Sequence, residues 1–138
     1  MSTSTTNPEL SRGTIVRDVG STLVFQPLNT NYQHHLVSSS GFSGTDGKSA
    51  RGVIRVTARK VYSVPSGGCW VAPILGVPKI IQGRVVGLSD KTISIKAGAV
   101  FVVELPEGKD SIDLASGAIE VGSLVNVVAM PGARIEIA

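Results

Sequence analysis

Residues 13–36 and 83–105 share one spacing of glycines and strand formers, and that repeat limits the fold more than any other feature of the chain. The later copy reads Gly-Arg-Val-Val-Gly-Leu-Ser-Asp-Lys-Thr-Ile-Ser-Ile-Lys-Ala-Gly-Ala-Val-Phe-Val-Val-Glu-Leu. It is three short runs of β-branched residues separated by turn residues. Gly13 falls on Gly83, Val16 on Val86, Thr22 on Thr92, Leu23 on Ile93 and Phe25 on Ile95. With one residue dropped, Leu36 falls on Leu105. A second block, Val61-Tyr-Ser-Val-Pro65, resembles Val127-Val-Ala-Met-Pro131. A duplicated all-β chain is the expectation.

Size bears on how the copies sit together. The chain has 138 residues. Each copy then holds roughly 60 residues, a length that buries only about 60% of its unfolded surface and is marginal alone. The halves are therefore expected to share a core or pack tightly. Charged residues make up 17% of the chain and mean hydropathy is +0.26, against about 25% charged in an ordinary domain. The apolar excess predicts a subunit interface. Net charge is +3 but uneven: residues 1–79 carry eight Lys/Arg against three Asp/Glu, and residues 80–138 five against seven. A basic first half facing an acidic surface of a neighbour fits that asymmetry.

In chain order, residues 1–11 are polar and aperiodic and predict a flexible tail. Strands are expected over 13–19 and 22–26 as a hairpin, then 32–37, 52–64 and 69–74. Pro27 ends the second of these because it has no N–H for a ladder. Residues 38–50 are a Ser/Gly-rich loop, of the long kind that is usually functional or mobile. The second copy has strands at 81–88, 92–97, 100–105, 124–129 and 134–137, with one helical turn at 110–115. No window carries a clean 3.6 period, so no long helix is expected. The boundaries are a tail at 1–11, a first half at 12–79 and a second half at 80–138.

Five strands per copy with an insertion after the third, together with Ile119-Glu-Val-Gly-Ser-Leu-Val-Asn-Val127, carry a resemblance to the OB-fold. That fold is a small five-stranded Greek-key barrel. The glycine of the motif permits a sharp bend into a strand. The resemblance implies two tandem five-stranded OB-like barrels packed together. The first copy lacks the bend motif, and Arg55-Val-Thr-Ala stands there instead, which predicts a straighter and longer strand.

The candidate interaction face lies on that strand. Alternation puts Arg51, Arg55 and Arg59 on one side, with Lys48 before the row and Lys60 beside it. Such a row suits phosphates of an extended nucleic acid, an acidic partner, or simple solvation of a sheet face. Stacking platforms are few. Phe25 and Phe101 sit in apolar runs and belong to the core, Tyr32 and Trp70 stand at strand starts where exposure is expected, and Phe42 in the 38–50 loop is the likeliest contact aromatic.

Catalytic and metal chemistry finds little support. His34 and His35 point to opposite faces of a strand and cannot chelate one ion together. Cys69 is the only cysteine, which excludes an intrachain disulfide, fits a reducing compartment, and predicts a small buried hydrophobe. The 41–49 stretch lacks the glycine spacing and following helix of a phosphate loop. The N-terminus has no signal-peptide pattern, and the apolar 69–81 region is broken by Pro73, Gly76 and Pro78. The expectation is a soluble, cytoplasmic, non-enzymatic protein without cofactor or metal, self-assembling into a homo-oligomer through apolar surface and strand edges. The alternative is a nucleic-acid-binding module using Arg51, Arg55, Arg59 and the 38–50 loop. A small-molecule-binding barrel stands third and an enzyme last.

Overall fold

The structure, a computed structural model, describes residues 10–18, 22–38, 49–89, 91–105 and 119–137. These form strands β1 (Ser11–Asp18), β2 (Thr22–Pro27), β3 (Gln33–Ser38), β4 (Ser49–Ser63), β5 (Trp70–Ala72), β6 (Leu75–Gly76), β7 (Ile80–Leu88), β8 (Thr92–Ala97), β9 (Ala99–Glu104), β10 (Leu124–Ala129) and β11 (Arg134–Ile137). All belong to one 11-stranded sheet, and none of the described residues is helical. The turn expected at 110–115 lies outside the described residues, as does the tail over 1–9. Ser11, placed in that tail by the sequence, instead begins β1 and is buried.

Pairing follows two closed circuits that share β4. One runs β1–β2–β3–β11–β4 and returns to β1. The other runs β7–β8–β9–β4–β10 and returns to β7. Pairs within each are antiparallel except β3–β11 and β4–β9, which are parallel. Each circuit therefore has five strands, and each takes one of them from the other part of the chain.

The two hairpins repeat residue for residue. In β1–β2, Ile15 faces Phe25 and Arg17 faces Val24, with Val16 the extra residue of a bulge. In β7–β8, Val85 faces Ile95 and Gly87 faces Ser94, with Val86 the extra residue. Each position is displaced by 70. A bulge sharpens the local twist, so its recurrence at one place gives both ribbons the same bend. Two glycines stand at the same point of the repeat. A Cβ on Gly13 would strike the Gln26 carbonyl, and one on Gly83 the Lys96 carbonyl. Only glycine lets the crossing backbone come so near.

Further along, the structure corrects the sequence alignment. Leu36 faces Leu23, and Val103 faces Ile93, so Leu36 matches Val103 rather than Leu105. Three residues are dropped between β2 and β3, not one. The second block is corrected as well. Gly52 faces Ser11 and Val127 faces Ile81, so Val127 corresponds to Gly52, not to Val61. One long strand, β4, stands where the second copy has β10 and β11. Met130 to Ala133, with Gly132 at φ 101°, breaks the second version in two.

One core serves both circuits. Ile15, Leu23, Phe25 and Leu36 pack into the same cluster as Ile93, Ile95, Phe101 and Val103, with Ile54, Val56, Val127 and Ile135 between. Shared burial answers the size problem set by the sequence: the buried residues of both circuits belong to one cluster. Phe25 and Phe101 are fully buried, as their apolar runs predicted.

Candidate interaction surfaces

The arginine row is divided by the geometry of β4. Arg51 is exposed near the start of the strand. Arg55 is half-buried, and its Nε donates to Glu136 Oε1 at 3.0 Å from the adjacent β11. Beside it, Arg134 Nη2 meets Glu104 Oε2 at 2.5 Å, and Thr57 Oγ1 donates to Glu104 Oε1 at 3.1 Å. Arg55 is thus held by a carboxylate of its own chain. Glu104 is likewise engaged by residues of its own chain. Next comes a register shift: Ala58 faces Ala129 and Lys60 faces Val128, leaving Arg59 as the extra residue. Arg59 and Lys60 both emerge into solvent, where simple alternation had put them on opposite faces. Lys48 and Phe42 lie outside the described residues.

The apolar surface concentrates elsewhere. Trp70, Ile74, Leu75 and Val77 are 37–60% exposed within one short segment. This segment joins the circuits. β5 pairs with β7, β6 pairs with β3, and Gln33 N–H donates to the Ile74 carbonyl. Tyr32 anchors it: Val71 N–H donates to the Tyr32 hydroxyl at 3.2 Å. Tyr32 is therefore half-buried rather than exposed, and Gly98, at φ 76°, leaves room for its ring. Asn29, Thr30, Asn31, Tyr32 and Ile74 line a shallow pocket of about 320 Å³ at the edge of this surface. The segment carries backbone bonds to both circuits yet keeps its large apolar side chains in water, so its shape is fixed while its surface is unsatisfied.

Strand edges are scarcer than the sequence suggested. Every strand of the two circuits is paired on both sides somewhere along its length, which removes most of the open edge.

His34 and His35 do alternate, with His34 fully buried and His35 exposed. The His34 ring stacks on Tyr32 and meets the Phe101 edge, and neither of its nitrogens has a hydrogen-bond partner among the described residues. Burial, with a smaller push from His35, lowers its pKa to about 4. Cys69 overturns its expectation. It is exposed, because residues 65–70 run over the surface after β4 ends. Among the described residues no group of three or more His, Cys, Asp or Glu is placed to hold a metal, and no helix is long and apolar enough to cross a membrane.

Arg12, Arg84 and Lys96 stand apart from the β4 row. Arg12 faces Arg51 across β1–β4, and Arg84 faces Lys96 across β7–β8. All four are exposed. Only knowledge of the register brings them together, and no local signal in the sequence supplies it.

Comparison with protein-family models, with curated proteins and with solved structures returns no match for this chain.

Proposed function

We propose that the chain is a non-enzymatic structural or scaffolding protein that self-assembles through the apolar segment around Trp70, Ile74, Leu75 and Val77. The observation that carries this reading is the exposure of those side chains on a segment whose backbone is bonded into both pairing circuits. A rigid apolar patch in a chain of low charge is suited to a permanent contact between copies. In the same reading the two circuits are OB-like barrels, each closed by a strand from the other half. The five-strand count of each circuit and the repeated bulged hairpins support this.

Use of the β4 arginine row for nucleic acid is less well supported. Arg55 is engaged by Glu136, and the bulge at Arg59 breaks the straight track. Light scattering on the eluting protein, alone and with a single-stranded oligonucleotide, tests both. An oligomer unaffected by oligonucleotide supports self-assembly. A monomer that shifts only with oligonucleotide overturns it.

A further inference from the structure

We propose that Arg12 and Lys96, backed by Arg51 and Arg84, form a binding site for a phosphate-rich anion at the seam between the two circuits. Arg12 and Lys96 line one open pocket of about 190 Å³, with Ser11, Gly98, Ala99 and Val100 among its walls. Arg12 belongs to the first circuit and Lys96 to the second, so the pocket straddles the seam.

Each lining cation stands directly across from another cation. Arg12 is the Cα partner of Arg51, and Lys96 of Arg84. Residues opposite one another in an antiparallel pair hold their Cβ atoms about 5 Å apart, and like charges there repel. No carboxylate of the described residues lines the pocket, and none of the four cations has an ion-pair partner among them. Arg84 Nη1 does donate to the Gly122 carbonyl at 3.1 Å, which fixes its guanidinium without neutralising it. A chain of low charge thus sets two like-charged facing pairs at this seam. An anion between them removes the repulsion and gains charge-assisted hydrogen bonds.

The pocket is held open by its own structure. Ser11 Oγ donates to the Val100 carbonyl at 3.1 Å and accepts from Val100 N–H at 2.9 Å, so β1 is tied to β9 directly beneath it. Gly98 and Ala99 add little bulk. The volume is enough for a phosphate group with part of its hydration shell.

The repeat provides an internal comparison. The positions matching Arg12 and Lys96 are Gln82 and Gln26, displaced by 70. Gln82 Nε2 donates to the Gly68 carbonyl and Gln26 Nε2 to the Thr30 carbonyl, each at 2.8 Å. At one pair of equivalent places neutral amides serve the protein's own backbone. At the other stand two cations with no counter-charge among the described residues. Folding alone does not require that difference.

Calorimetric titration of the intact protein with inorganic tripolyphosphate in about 50 mM salt tests the site, since phosphate contacts weaken as salt rises. The wild type is expected to bind. The double variant Arg12→Gln/Lys96→Gln is expected to lose about tenfold or more in affinity, and Arg59→Gln/Lys60→Gln, with the same charge removed, to change it less than about twofold. Thermal unfolding keeps the result interpretable: without anion, the Arg12→Gln/Lys96→Gln variant should be at least as stable as wild type, because repulsion has been removed. Displacement of tripolyphosphate by an oligothymidylate of about twelve nucleotides supports the site with a nucleic-acid backbone as its source. Failure to displace it supports the site with a small polyphosphate as its source. No binding by wild type, or equal losses in the two double variants, overturns the proposal.

Discussion

His34 and Phe101 meet edge to face, with ring centroids 5.4 Å apart and planes at 73°, and they hold the same place in the repeat. His34 faces Phe25 across β2–β3, and Phe101 faces Ile95 across β8–β9. Phe25 and Ile95 are themselves equivalent. Thr57 and Arg134 behave alike: they are equivalent through their partners Glu104 and Val37, and both bind the Glu104 carboxylate. Contact between equivalent residues is what a two-fold relation produces at its axis, where one surface meets its own copy. The interior of this chain is thus arranged like an isologous interface joined by a linker.

The buried histidine makes that interior sensitive to acid. His34 titrates at about 4 in the folded chain against 6.5 in a free side chain. Between those values the unfolded chain binds the extra proton, so stability falls as pH drops from 6.5 towards 4 and is fully present above 6.5. The loss attributable to this group is about 3 kcal/mol. His34→Phe, which places the counterpart's side chain at the same position, is expected to remove that part of the pH dependence. Urea midpoints at pH 7.5 and 4.5, compared between wild type and variant, check it.

Gly13 and Gly83 should be intolerant in parallel. Alanine at either meets a backbone carbonyl that has no means of yielding. Each substitution is expected to cost about 2 kcal/mol, as overpacking does. Gly68→Ala is the control, since nothing lies within 4 Å of its Cβ position, and should change stability by less than about 0.5 kcal/mol. Thermal denaturation of the three variants decides.

Replacing Arg51, Arg55 and Arg59 together by alanine should have little effect on folding. The Arg55 and Glu136 side chains are 26% and 46% exposed, and such pairs contribute about 0–1 kcal/mol. The triple variant is therefore expected to keep its oligomeric state. A drop in measured mass by light scattering would place this face, not the segment at residues 70–77, at the contact between copies.

Local signals carried much of the secondary structure. β8, β10 and β11 begin and end where alternation and turn residues placed them, and β4 is the long strand expected where the bend motif is missing. What depends on distant parts of the chain was not legible. β6 is two residues long and exists only because β3 lies beside it. The match of Leu36 to Leu105 followed side-chain likeness, whereas the true match to Val103 is set by which residues face them. Cys69 was placed in the core on residue type, and the surface course of residues 65–70 decided otherwise. Period-two counting gave Arg51, Arg55 and Arg59 their common side, but it carries no sign of the bulge at Arg59 that brings Lys60 out beside it.

Sedimentation equilibrium on the wild type and on Ile74→Asp/Leu75→Asp tests self-assembly through the joining segment most directly. These two side chains are 57% and 60% exposed, so the variant should keep the wild-type far-ultraviolet spectrum. The account predicts an oligomer for the wild type at micromolar concentration and a folded monomer for the variant. A wild type that stays monomeric at high micromolar concentration, or a variant that assembles as the wild type does, would contradict it.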